Sequence, residues 1–278
     1  MASVTARINQ IKQPRGGFIK PSDMVVELQN DGIQLNHEEN VHASIVGMSV
    51  DYLTRFMNGA TLEDAFGISL RGAQMADSFG VKGSLSAALK MLHDIKGLDD
   101  ASIVNASKLV TFDVWFRNPQ AAMMSKTYKE TNPDKATVEN IRTMVNRSMS
   151  FFKKYGPVTK DGFTFEPVNG KESDYQRMCE TKKGSWGGYT GTVESGDGDF
   201  LTKDTIWDFK VTVSEPTNKH TLQLLMYWIM GQHSGQELFK TITNIGIFNP
   251  RLNKVYLFAL SNLPKEVIEV VEKGVICY

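Results

Sequence analysis

Gly196-Asp197-Gly198-Asp199-Phe200-Leu201-Thr202-Lys203-Asp204-Thr205-Ile206-Trp207-Asp208-Phe209-Lys210-Val211 is the stretch on which the fold turns. Two strands joined by a tight turn fit it best. In the second strand Trp207, Phe209, Val211 and Val213 alternate with Ile206, Asp208, Lys210 and Thr212, so the two-residue period of a strand places Asp208 and Lys210 on one face. With the turn centred between Lys203 and Asp204, Leu201 faces Ile206 and Asp199 faces Asp208. Directly opposed side chains have Cβ atoms about 4.5–5.5 Å apart, where like charges destabilise the sheet unless something positive lies between them. A divalent cation meets that need, and Mg²⁺ commonly takes one or two carboxylates plus waters and substrate phosphate. Lys210, two residues on, is placed to orient or deprotonate an attacking water or to steady charge developing on a phosphorus centre. A plainer reading stands beside this one. Aspartates crowd into hairpins because they favour turns, and Asp197, which faces Lys210 in the same register, could simply pair with it.

Outward from the hairpin, a helix is predicted from about Lys219 to Gly231, with Leu222, Leu225, Met226 and Ile229 as its apolar stripe and Gln223 and Tyr227 four apart on one face. Strand-like runs occupy Phe163 to Glu166, Tyr189 to Leu201, Thr205 to Val213, Ile242 to Phe248 and Val255 to Leu260, and a last helix runs from Pro264 to Glu272. Upstream, Val41, Ile45, Met48, Tyr52, Leu53 and Phe56 recur at helical spacing, and further helical segments begin at Leu62, Ser84 and Ala101. A polar stretch from Pro119 to Lys135 precedes a basic helix from about Thr137 to Lys154. The expected class is α/β (α+β), a mixed central sheet flanked by helices. The expected division is an irregular N-terminal arm over 1–40, a helical region over 41–136 and a sheet-bearing core over 137–278.

The whole chain is 278 residues with 31 basic and 31 acidic side chains, 41% hydrophobic, a composition that excludes disordered and collagenous proteins. Two cysteines, Cys179 and Cys277, are too few for a disulfide framework, a four-thiolate zinc site or an iron–sulfur cluster. The longest apolar stretch, around Leu224 to Met230, falls short of the ~18 residues of a membrane span, and no signal-peptide pattern opens the chain. A cytoplasmic location is the expectation. Two stretches are basic without any acid: Arg7, Lys12, Arg15 and Lys20, then Arg142, Arg147, Lys153, Lys154 and Lys160. Both read either as solvated faces or as phosphate contacts. No phosphate-loop pattern ending in Gly-Lys-Ser/Thr occurs, so any ATP-driven motor would be a separate protein.

Taken together, Gly-Asp-x(8)-Asp-x-Lys followed by Gln-x-x-x-Tyr resembles the PD-(D/E)XK nuclease superfamily, specifically its RecB-like branch, over about residues 160–250. The resemblance implies a restriction-endonuclease-like core with a helical N-terminal extension. It implies that Asp199 and Asp208 bind Mg²⁺ or Mn²⁺, that Lys210 is the catalytic lysine, and that Gln223 and Tyr227 position the site or the DNA strand. The family usually adds an upstream ligand. Glu166 ranks first for that place and His42 second. The implied function is hydrolysis of DNA phosphodiesters, as a RecB-like exonuclease, with a separate helicase or recombination protein as a possible partner. The competing class is a non-catalytic nucleic-acid-binding or interaction protein that retains the fold.

Overall fold

The computed structural model describes residues 2–165 and 187–278. Six strands form the central sheet: β2 (Val25–Leu28), β3 (Lys160–Thr164), β5 (Asp197–Leu201), β6 (Thr205–Phe209), β7 (Asn244–Asn249) and β8 (Lys254–Ala259), in the spatial order β2-β8-β7-β6-β5-β3. β6 and β7 are parallel and every other neighbouring pair is antiparallel. The parallel pair needs a crossover, which is supplied by helix α10 (Asn218–His233). The mixed sheet flanked by helices is the arrangement expected from the order of elements.

Two helices cover the two faces. α9 (Lys135–Tyr155), capped by the Asp134 carboxylate accepting from the Thr137 N–H at 2.8 Å, lays Phe151 against Trp207, Phe200, Phe248 and Val255. The Phe151 ring stacks on Phe248 at 4.2 Å between centroids and meets Trp207 edge-on at 4.8 Å. Such pairs add about 0.5–1.5 kcal/mol beyond the area they bury. On the other face α10 packs Leu222, Leu225, Met226 and Ile229 with Leu201, Ile206, Ile245 and Ile247. Trp207 therefore points to α9 and Ile206 to α10, and strand alternation sends Asp208 to the α10 side.

Glycine is required at two places in this sheet: at Gly246 on β7, where a Cβ would lie 2.4 Å from Trp207 Cζ3, and at Gly198 on β5. β3 pairs with β5 with Phe163 opposite Gly198, and a Cβ on Gly198 would lie 1.8 Å from Phe163 Cζ. The ring fills the space a side chain would occupy.

The helical region consists of α2 (Ala43–Met57), α3 (Leu62–Ala65), α4 (Gly67–Ser78), α5 (Ser84–His93) and α6 (Asp100–Leu109), followed by short α7 (Asp113–Arg117) and α8 (Pro119–Ala122). Their common core also takes Val138, Ile141, Met144 and Val145 from the first half of α9. α9 thus serves both the helical region and the sheet. A last helix, α11 (Lys265–Val270), runs directly into a π-helical segment over Val271–Ile276. Among the described residues no helix is long and apolar enough to cross a membrane.

Three expectations need correction. The arm over 1–40 is not irregular: it holds β1 (Ala2–Ser3), helix α1 (Val4–Gln10) and β2, which is an edge strand of the main sheet. α1 starts at Ser3, whose hydroxyl accepts from the Ala6 N–H at 3.2 Å, and buries Val4 and Ile8 on one side. β2 gave no alternation because Val25, Val26 and Leu28 are all exposed at the sheet edge. The single strand expected from Tyr189 to Leu201 is two: β4 (Val193–Ser195) pairs with β1 in a separate two-stranded sheet. Gly196 marks the break, where a Cβ would meet Val4 Cγ2 at 2.8 Å and Tyr227 Cε1 at 3.1 Å.

The third correction concerns the basic helix. Arg147, 7% exposed, is not a phosphate contact. Its guanidinium donates to Asp31 at 2.6 and 3.1 Å and to the carbonyls of Ile33, Pro250 and Arg251. Arg142 is held by Asp100 and the Leu98 carbonyl, and Lys154 by Glu27. Arg251, at the β7–β8 turn, pairs with Glu39 at 2.9 Å. Replacing Arg147 by Met should lower stability by about 3 kcal/mol, the low end for breaking a buried ion pair, because Asp31 retains some contact with water. Urea denaturation followed by circular dichroism measures this, and a loss under 1 kcal/mol would show that the guanidinium is dispensable.

Candidate active site

β5 and β6 part company at the site. They pair at Leu201↔Ile206 and Phe200↔Trp207, the register the turn position predicts. One step further the ladder stops, and the Asp199 carboxylate takes the place of the backbone. Its Oδ2 accepts the Phe209 N–H at 2.6 Å. On its other side β6 continues along β7, with the Lys210 N–H donating to the Phe248 carbonyl at 3.0 Å. The strand ends at Phe209 rather than at Val213 because its partner on one side has splayed away.

Asp208, 3% exposed, and Lys210 stand on the face toward α10. Lys210 Nζ lies 2.9 Å from Asp208 Oδ1, so the lysine pairs with Asp208 and not with Asp197, as the plainer reading of the hairpin supposed. Asp208 Oδ2 is buried and has no hydrogen-bond partner among the described residues. A buried carboxylate oxygen without a partner is costly. Burial first, then the charges on Asp208 and Asp51, push the Asp199 carboxyl up to about 7, against the pull of Lys210 and the Phe209 N–H. For Lys210, burial works against the ammonium, but Asp208 and Asp199 outweigh it and the pKa moves up.

α10 presents its polar side to the same place. Tyr227 Oη donates to the Asp197 carbonyl at 2.5 Å and accepts from Gln223 Nε2 at 2.9 Å. Burial raises the phenol pKa, and the carboxylates of Asp208 and Asp199 add to it. Gln223 and Tyr227 therefore act as a brace that ties α10 to the start of β5. His220 joins the capping box at the N-terminus of α10 with Thr217. Its pKa is lowered, by burial and then by Lys210.

Two further groups come from α2. Arg55 lies 3.0 Å from Asp51 on its own helix and 3.5 Å from Asp161 on β3. Burial opposes its charge, but Asp51, Asp161 and Asp199 together hold the guanidinium protonated well above its ordinary range. Sequence reasoning missed Asp51, Arg55 and Asp161. The Asp51/Arg55 spacing of four is a common helix-surface pair, and nothing local announces that this helix end meets a hairpin about 150 residues later.

Of the two upstream ligands expected, Glu166 lies outside the described residues. His42 is not brought to the acid pair. It caps the N-terminus of α2, its Nδ1 accepting from the Ser44 N–H at 3.2 Å, about 13 Å of helix rise from Asp51. It lines a different cavity, with Ile45 and Met48. What α2 brings toward the hairpin is Asp51, paired with Arg55 at 3.0 Å, whose charge is felt at Asp199.

Among the described residues no three His, Cys, Asp or Glu side chains converge closely enough to hold a metal by themselves. The fit to a divalent ion rests on fewer groups. The unpartnered Oδ2 of Asp208 beside Asp199 offers hard oxygen donors, and Mg²⁺ accepts one or two carboxylates with waters and substrate oxygens completing its shell. The chain matches no protein-family model, no curated protein and no solved structure.

The raised Asp199 pKa fixes the sign of a pH dependence. Between the unfolded value near ~3.9 and the folded value of about 7, the folded state binds more protons than the unfolded one. Stability therefore falls as pH rises across that window. Asp199→Asn, which keeps an acceptor for the Phe209 N–H, should gain thermal stability over the natural protein as pH goes from 5 to 8. Melting curves at both pH values check this; an equal offset at the two would mean that Asp199 is already ionised at the lower one.

Proposed function

We propose that this protein is a metal-dependent nuclease of the PD-(D/E)XK type, hydrolysing DNA phosphodiesters, and that its six-stranded sheet with α9 and α10 is the core of that superfamily. The observation that carries the reading is the acid pair itself: Asp199 beside Asp208 at the splayed end of a hairpin, Asp208 keeping one buried oxygen unpartnered, and Lys210 at 2.9 Å from the other. A structural role would not need two neighbouring carboxylates, one pushed to about 7 by burial and then by the other's charge.

Asp199 and Asp208 would hold Mg²⁺ or Mn²⁺. Bound there, such an ion supplies Lewis-acid polarisation of the phosphate and of the attacking water. The chain's own groups do the rest. Asp199 keeps its orientation through the Phe209 N–H, so its free oxygen is fixed in space. Lys210, charged and half-buried, faces the developing negative charge on the phosphorus oxygens. Tyr227 and Gln223 set the position of β5, and with it Asp199, relative to α10.

Incubation of single-stranded and duplex DNA with the pure protein and Mg²⁺ or Mn²⁺ should give cleavage that EDTA stops. Asp208→Asn should abolish it, and Lys210→Met should lower kcat about 10²–10³-fold, the usual effect of losing one charge-stabilising donor, with little change in KM. A folded, metal-supplied sample that binds DNA but cuts none would favour the non-catalytic binding protein instead.

A further inference from the structure

A cleft of about 600 Å³ opens next to the acid pair, within the ~300–1,000 Å³ typical of small-ligand sites. It lies on the α9 side of the sheet, and the two places meet at the splayed end. Phe209, whose N–H holds Asp199, lines the cleft with its side chain. Asp51 and Arg55, whose charges reach Asp199, form its wall.

Three features define what the cleft accepts. Its apolar side is aromatic: Phe152, half-buried and 5.1 Å from Phe200 in an edge contact, lies beside Phe209. Its charges balance, with Arg55 and Lys153 against Asp51 and Asp161, so the interior suits a neutral group better than a phosphate. Finally, Thr54 is 3% exposed, lies in the cleft wall, and its Oγ1 has no hydrogen-bond partner among the described residues. A helical threonine ordinarily bonds the carbonyl one turn back. Its two accessible rotamers let an unengaged hydroxyl swing toward an incoming group.

A flat, uncharged ring with polar edges satisfies all three conditions. We infer that the cleft receives one unpaired base of the substrate strand, next to the bond to be cut. The base stacks on Phe152, its edge meets the Thr54 hydroxyl and Asn58, and the flanking phosphate reaches round the splayed strands toward Asp199 and Asp208. This rests on the nuclease reading and narrows it: the substrate is a single strand, or a duplex frayed at the cleavage point, because a paired base cannot enter. Every base has a π-face, so the stacking imposes no sequence preference.

The test uses single-stranded oligonucleotides that each carry one abasic residue at a successive position, with Mg²⁺ and the full-length protein. In the natural protein an abasic residue should slow the neighbouring cut by about 5- to 150-fold, the range spanned by base–aromatic stacking. Phe152→Leu, which keeps apolar bulk against Phe200, and Thr54→Val, which keeps shape and removes the unpartnered hydroxyl, should slow cleavage of the intact strand. They should also shrink the difference between intact and abasic strands, the signature of direct coupling. Thr54→Val should melt at the same temperature as the natural protein or higher, so a loss of rate in that variant is not a folding defect.

Cleavage that ignores abasic residues, or an abasic effect undiminished in both variants, would overturn the inference and leave the nuclease reading intact. Conversely, if no strand is cut but intact strands bind more tightly than abasic ones in EDTA, and Phe152→Leu removes that difference, the nuclease reading falls while the base site stands.

Discussion

The geometry of this molecule depends on one hydrogen bond, from the Phe209 N–H to the Asp199 carboxylate where two antiparallel strands stop pairing. In an ordinary hairpin that N–H would find a backbone carbonyl. Here a side chain substitutes, so the strands can separate without leaving a buried donor unsatisfied. The separation opens room at the sheet's end for Asp208 and Lys210. Because β6 still pairs with β7 through Phe209, the opening is one-sided and Asp208 stays fixed. The aromatic packing under α9 holds the same strand from below: Trp207 cannot turn toward α10 without breaking its contacts with Phe151 and Phe200. Alternation then leaves Asp208 no face but the one opposite.

How much of this was legible in the sequence follows from the range of each signal. Alternation along Ile206 to Lys210 and the turn at Lys203-Asp204 are local, and they yielded the facing pair Leu201 and Ile206 that the structure contains, but not the early end of the ladder, which stops before the expected pair Asp199 and Asp208. The four-residue spacing of Gln223 and Tyr227 is also local, and the two side chains are hydrogen-bonded to one another. Asp51, Arg55 and Asp161 had no such signal, because what brings them to the hairpin is the docking of a distant helix. Arg142 and Arg147 misled for the opposite reason. A run of basic residues shows charge but not partners, and Asp100 and Asp31, which neutralise them, lie more than forty residues away in sequence. The N-terminal arm hid β2 because an edge strand with Val25, Val26 and Leu28 all exposed lacks the pattern that marks a half-buried strand.

The site also departs from what stability alone would select. Burial, then the charges of Asp208 and Asp51, oppose ionisation of Asp199, and among the described residues Lys210 and Arg55 are the cations that stand against these acids. Elsewhere in the chain buried acids are satisfied: Asp113 accepts from Tyr52 and from Ser69, each at 2.5 Å, with Arg117 close by. The contrast lies within one protein and under the same packing rules. Where an acid has only to hold the helical region together, its oxygens are fully engaged; at the end of the hairpin one is not.

Four buried side-chain polar atoms among the described residues lack a partner: Gln13 Oε1, Thr54 Oγ1, Asp208 Oδ2 and Trp228 Nε1. Two of them, on Thr54 and Asp208, lie on either side of the splayed strands, in the cleft wall and in the acid pair. Unpaired buried polar atoms are uncommon in folded chains and tend to mark places where stability is traded for function. Each of these two has a chemistry suited to its surroundings. A carboxylate oxygen among like charges calls for a cation, and a neutral hydroxyl beside aromatic rings and balanced charges calls for the edge of a neutral ring. On the proposed reading a divalent ion held at Asp208 would meet the first demand and draw in an anionic phosphate, and the neutral base beside that phosphate would meet the second.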